Sequence, residues 1–104
     1  MKKIEAIIQP GLRDKVVAAI KKHGVGGVTI HHVQGQGKQD PPLVGQYYNR
    51  DMIICVVDDP KLDDVLDSIA NVACTGTKGD GKVFVTAVSD ALDICSKKRG
   101  TTSI

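Results

Sequence analysis

The changes of hydrophobic period along the chain constrain its fold more than any other feature. Ile4, Ala6 and Ile8 alternate with Lys3 and Glu5, the two-residue period of a half-buried strand, which Pro10-Gly11 ends. Leu12, Val16, Ala19, Ile20 and His23 then recur at the spacing of one helix face. Gly24 follows as the stop, where glycine takes a left-handed backbone without strain. A β-branched second strand, Gly27 to Gln34, carries Val28, Ile30 and Val33. Periodicity disappears from Gly35 to Asp51, a stretch that includes Pro41-Pro42 and reads as a long loop of the kind that tends to carry function. Met52 to Val57 is an unbroken apolar run, the third strand. Asp59-Pro60 joins a carboxylate cap to a proline at the first helical position. Leu62, Val65, Leu66, Ile69, Val72 and Ala73 form the apolar face of that second helix. Cys74 to Gly81 is a second loop and Lys82 to Val88 the fourth strand; Ser89 to Cys95 reads as a turn or short helix, and Ser96 to Ile104 as a polar tail.

The order β-α-β-β-α-β predicts an α+β, ferredoxin-like sandwich, the split βαβ arrangement. Both helices cover one sheet face, and the other stays open for an interface. With 104 residues the chain fits one domain, 1–104. A domain of this size buries roughly 65% of its chain surface, so assembly into an oligomer adds useful burial. The formal net charge of +2 is too mild to imply a nucleic-acid or membrane partner. No apolar stretch approaches the roughly 20 residues that span a bilayer, and no export signal is legible, so a cytoplasmic location is expected. One Phe and two Tyr are too few for an RNA-recognition sheet, which stacks bases on strand aromatics. Arg13, the one early arginine, has no adjacent motif for a phosphohydrolase cradle. Cys55, Cys74 and Cys95 form no CxxC pair and are expected as reduced thiols. No base–nucleophile pair or paired-carboxylate spacing suggests an enzyme.

Two Gly/Lys segments carry chemistry. In Thr75-Gly76-Thr77-Lys78-Gly79-Asp80-Gly81-Lys82, the glycines let backbone N–H groups approach an anion, and Lys78 and Lys82 add positive charge. Asp80 is placed to brace the turn through its own backbone. A plain Gly-Asp-Gly turn has the same composition, and the segment is not a Walker loop, which needs a strand-to-helix turn and a Gly-Lys-Ser/Thr ending. The second segment, Gly35-Gln36-Gly37-Lys38-Gln39, leaves the second strand with the same ingredients.

The stretch from Thr75 through Gly79-Asp80-Gly81-Lys82 to Val83-Phe84-Val85 resembles the C-terminal signature of the PII signal-transduction family. Gly24-Val25-Gly26-Gly27-Val28-Thr29, Val33 and Gly35 to Gln39 resemble the family's second strand and the base of its long T-loop. Met1 to Pro10 is also similar, with Gln9 where lysine is usual. The resemblance implies a homotrimer that binds an adenine nucleotide (ADP, AMP or ATP, with Mg possible) in clefts between subunits. It also implies that a T-loop, about 36–51 here, touches a target enzyme or transporter. Gly79, Asp80, Gly81 and Lys82, in a B-loop of about 75–82, would hold the phosphates. Gly35, Gln36, Gly37 and Lys38 would close from the T-loop base. Ile7 and Val56 would pack on the adenine, and Gly27, Val28 and Thr29 would come from the neighbouring subunit. Gln39 matches a glutamine that helps bind Mg·ATP and 2-oxoglutarate. Arg50 lies near the position of a lysine that pairs with 2-oxoglutarate, and marks a small-anion contact for that acid, bicarbonate or another effector.

The chain departs from the family pattern in three ways. The T-loop is shorter by about eight residues against that pattern, and Tyr47 and Tyr48 have no clear match at its missing tip. Asp93 and Cys95 replace an arginine pair that faces the phosphates, with Lys97, Lys98 and Arg99 nearby. Ile54 stands where several members have a glutamate that supports ATP. Fewer cations toward a γ-phosphate predict a preference for ADP or AMP over ATP. Two competing readings use other residues. A trimeric metal-responsive protein would gather His31 or His32 around its axis, imidazole being suited to zinc, nickel or copper. A redox role would use Cys74, beside the presumed phosphate loop.

Overall fold

A computed structural model of the chain describes residues 1–38, 40, 45 and 47–104. Its sheet is built from β1 (Lys2–Ile8), β2 (Thr29–Gly35), β3 (Tyr48–Val57) and β4 (Gly81–Ala87), in the order β2-β3-β1-β4. All three pairings are antiparallel. The helices are α1 (Arg13–Lys21) and α2 (Leu62–Ala73), so the two interleaved βαβ units of the ferredoxin-like fold are present. No helix among the described residues is long and apolar enough to cross a membrane.

Alternation along the strands sorts the side chains between two faces. Ile4, Ala6 and Ile8 of β1 and Ile53, Cys55 and Val57 of β3 turn toward the helices and are buried. Val16 and Ile20 of α1 and Val65 and Ile69 of α2 close over them. A buried aliphatic side chain of this kind contributes about 1.5–3 kcal/mol, so this layer holds the sheet to the helices. His23 Nε2 and Ser68 Oγ, 2.7 Å apart, add a polar link between the end of α1 and α2. Burial also pushes the Cys55 thiol up to about 11 and keeps it protonated. The opposite face carries Ile7, Met52, Ile54, Val56 and Phe84, and no layer of the described residues covers it; Phe84 is 50% exposed.

The structure moves several boundaries. β2 begins at Thr29, not Gly27. β3 starts at Tyr48, four residues before the apolar run, so Arg50 and Asp51 lie within a strand instead of a loop. Their register explains it: Tyr48, Asn49, Arg50 and Asp51 pair with Gly35, Gln34, Val33 and His32. Polar side chains are tolerated there because each finds a partner; buried Asp51 lies 2.6 Å from His32 Nδ1. The second helical segment opens as a short 3₁₀ turn over Asp59–Lys61. Its cap is Asp58, whose carboxylate accepts from the Asp59 N–H at 2.9 Å, one residue earlier than Asp59-Pro60 suggests. Asp59 instead binds the N-terminal amine at 3.0 Å. The C-terminal region is not a loose tail. Leu92 and Arg99 form an isolated bridge, Gly100–Ser103 forms a 3₁₀ turn, and Arg99 binds the Asp90 carboxylate.

Candidate functional site

β1 and β4 end and begin at the same edge of the sheet, because Ile8 pairs with Gly81 and Ile7 with Lys82. The loop before β4 therefore rises beside the end of β1. Gly35 pairs with Tyr48 at the corresponding end of β2 and β3, which brings the start of the long loop to the same side. Between these segments lies a cavity of about 650 Å³, within the range of small-molecule sites.

Its lining combines residues from distant parts of the sequence. Ile7, Gln36, Gly37, Lys38, Arg50, Gly79, Asp80, Gly81 and Lys82, all singled out in the sequence, meet around it. Asp40, Thr77, Lys78 and Phe84 also line it. Gly27, Val28, Thr29, Gly35 and Val56 do not line this cavity, and Gln39 falls outside the described residues.

The glycines are required by contact and conformation. Gly81 has φ +115°, and a Cβ there would overlap the Ile7 carbonyl oxygen in the paired strand. Gly79 has φ +82°, and a Cβ would overlap Asp40 Oδ1 and lie 2.8 Å from Arg50 Nη2. Gln9 holds the turn from below, donating from Nε2 to the Gly79 carbonyl at 2.7 Å. Sequence reading noted Gln9 only as a departure from lysine. The signal for its role was its place one residue beyond a strand that pairs with Gly81.

Asp80 braces the loop from within. Its carboxylate accepts from the Thr75 N–H at 2.9 Å, the Gly76 N–H at 3.1 Å and the Thr77 hydroxyl at 3.1 Å, and also from the Thr75 hydroxyl. These donors, led by the Thr75 hydroxyl, hold the Asp80 carboxyl below the usual carboxylate range. A depressed carboxyl stabilises the loop above its ordinary pKa of 3.8 and loses that contribution as pH falls through the lowered value. The Thr75 and Gly76 amide resonances are therefore expected to move in an acid titration with a midpoint below 3.8, and to lose that transition in Asp80→Asn. A midpoint at or above 3.8 would contradict the brace.

Charge around the cavity is unbalanced. Lys38, Arg50, Lys78 and Lys82 line it, and its two carboxylates are Asp40 and Asp80. Among the described residues, no carboxylate pairs with Lys38, Lys78 or Lys82, whereas Arg50 Nη2 binds Asp40 Oδ1 at 3.0 Å. Arg50 also donates to the Asn49 carbonyl at 2.8 Å, and its guanidinium lies 5.2 Å from the Tyr48 ring centroid. A concave site lined by lysines, apolar Ile7 and Phe84, and a glycine-bounded turn suits a ligand with both an anionic and an apolar part.

The histidines do not form such a site. His31 is in register with Met52 on the open face, whereas His32 pairs with Asp51 on the helix-facing side. Among the described residues no group of three or more His, Cys, Asp or Glu side chains converges on a metal-sized position, and the metal-responsive reading finds no support.

Comparison with known proteins agrees with the fold. The family model described as "Nitrogen regulatory protein P-II" matches residues 1–98. The nitrogen regulatory protein P-II of Nostoc punctiforme is 33% identical, with all of both chains covered. The nitrogen regulatory protein GlnK2 of Haloferax mediterranei is 34% identical over all of this chain and 91% of its own. The nitrogen fixation nifHD region glnB-like protein 1 of Methanococcus maripaludis is 35% identical over 96% of this chain and 99% of its own. The chain belongs to the nitrogen regulatory P-II family, a family of signal-transduction regulators. The Nostoc alignment spans 112 positions against 104 residues here, so at least eight of its positions have no residue in this chain.

Proposed function

We propose that this chain is a nucleotide-responsive regulator, with an adenine nucleotide as effector in the cavity between the Gly79-Asp80-Gly81-Lys82 turn and the Gly37-Lys38 segment. The observation that carries the reading is the convergence of both Gly/Lys segments and Ile7 on one cavity, with three lysines that have no carboxylate partner among the described residues. Phosphates would sit over the glycine turn near Lys78 and Lys82, and the base against Ile7 and Phe84. Mg would accompany a bound triphosphate. Arg50, once released from Asp40, would receive an anion, whether a nucleotide phosphate or a small anionic effector. The uncovered sheet face supports assembly as a homotrimer, in which Gly27, Val28, Thr29 and Val56 would reach a cleft from a neighbouring subunit. Occupancy would be relayed to a target enzyme or transporter through the loop that follows Gly35, in a cytoplasmic setting and without catalysis.

A preference for ADP or AMP over ATP is part of the proposal. Asp93 and Cys95 supply no cation, Arg99 is committed to Asp90, and no residue after Phe84 lines the cavity. Calorimetric titration with AMP, ADP and Mg·ATP tests it: ADP or AMP is expected to bind several-fold more tightly than Mg·ATP. Tighter binding of Mg·ATP would overturn the preference, and absence of binding by all three would overturn the nucleotide reading.

A further inference from the structure

Asp40 is an unusual occupant for a cavity read as an anion site. It lies three residues beyond Gly37, and a turn brings it back: its N–H donates to the Gly37 carbonyl at 3.2 Å. Its Oδ2 accepts from the Gly37 N–H at 2.7 Å and its Oδ1 from Arg50 Nη2 at 3.0 Å. The same Oδ1 fills the space that a Cβ on Gly79 would need. Although it belongs to a loop, its side chain is only 7% exposed, and that of Arg50 9%. The carboxylate thus sits between a backbone N–H, a guanidinium and the glycine of the opposite turn, the surroundings an anionic ligand would use.

We propose that Asp40 is an internal competitor, an autoinhibitory plug whose carboxylate holds the anion position until the phosphate of a nucleotide displaces it. The inference rests on the nucleotide reading above. Displacement has two consequences with one cause. Gly37 N–H and Arg50 become donors for the ligand, and the turn that Asp40 closes over Gly37 opens, changing the course of the loop at its base. Entry of a ligand and release of the loop are then one exchange of anions. A second carboxylate or phosphate cannot share these donors with Asp40, because like charges at such separation repel strongly in a partly buried site.

Titration of ADP into the wild-type chain and the Asp40→Ala and Asp40→Asn variants tests the proposal, with the amide resonance of Gly37 followed in the same samples. Loss of a competing charge-assisted contact predicts binding about tenfold tighter in Asp40→Ala, with Asp40→Asn intermediate. ADP should shift the Gly37 amide of the wild type to the position it takes in ADP-bound Asp40→Ala, where no carboxylate competes for that N–H. Wild-type binding with equal or weaker affinity in both variants would overturn the plug and leave the nucleotide reading standing. No ADP binding by any of the three proteins would overturn both.

Discussion

Gly81→Ala is expected to lower stability by roughly 3 kcal/mol, from the strain of a non-glycine residue at positive φ together with overpacking. The position has φ +115°, and the new methyl would meet the backbone carbonyl of Ile7, which no rotamer change can remove. Because Ile7 and Ile8 pair with Lys82 and Gly81, relief requires β1 and β4 to part at the end that carries the cavity. For a domain of this size the melting temperature should fall by more than about 10 °C. A thermal melt in which Gly81→Ala matches the wild type would show that the turn is not held as described. Gly11→Ala serves as the comparison, since a Cβ there meets nothing within 4 Å.

The second large effect concerns binding. Lys78 and Lys82 line the cavity without carboxylate partners among the described residues, so their charge is available to a ligand. Hydrogen bonds to charged groups contribute about 1.5–3 kcal/mol each, and removing two predicts a loss of about 100-fold or more in ADP affinity for the Lys78→Ala, Lys82→Ala double variant. Neither side chain belongs to the buried core, so the melting temperature should change little. Unaltered ADP binding with both lysines removed would place the phosphates elsewhere.

Much of the fold was legible because its core obeys a local period. Ile4, Ala6 and Ile8 face the helices by strict alternation, and Val16, Ile20, Val65 and Ile69 answer them at helical spacing. Where the reading was wrong, the cause was a partner remote in sequence. Asn49, Arg50 and Asp51 do not look like a strand, yet β2 supplies their ladder and His32, Gln34 and Asp40 their side-chain partners. The cap fell on Asp58 and not Asp59, which is the first residue of the turn and meets the N-terminal amine, remote in sequence. The glycine turn was visible as composition, since Gly79 and Gly81 are where glycine is needed. Asp40 was not visible at all: its significance comes from a turn onto Gly37 and contacts with Arg50 and Gly79, none of which a period records.

The pairing of Gly35 with Tyr48 has a consequence for how this molecule can communicate. The chain leaves the sheet at Gly35 and re-enters it at the facing residue Tyr48, so the two form a narrow neck. That neck is also a wall of the cavity, through Gln36, Gly37 and Lys38. If the proposed target holds the loop and the proposed effector fills the cavity, the two must negotiate over the same few peptide units. Each would then alter the other's affinity by the same factor, with no signal passing through the core.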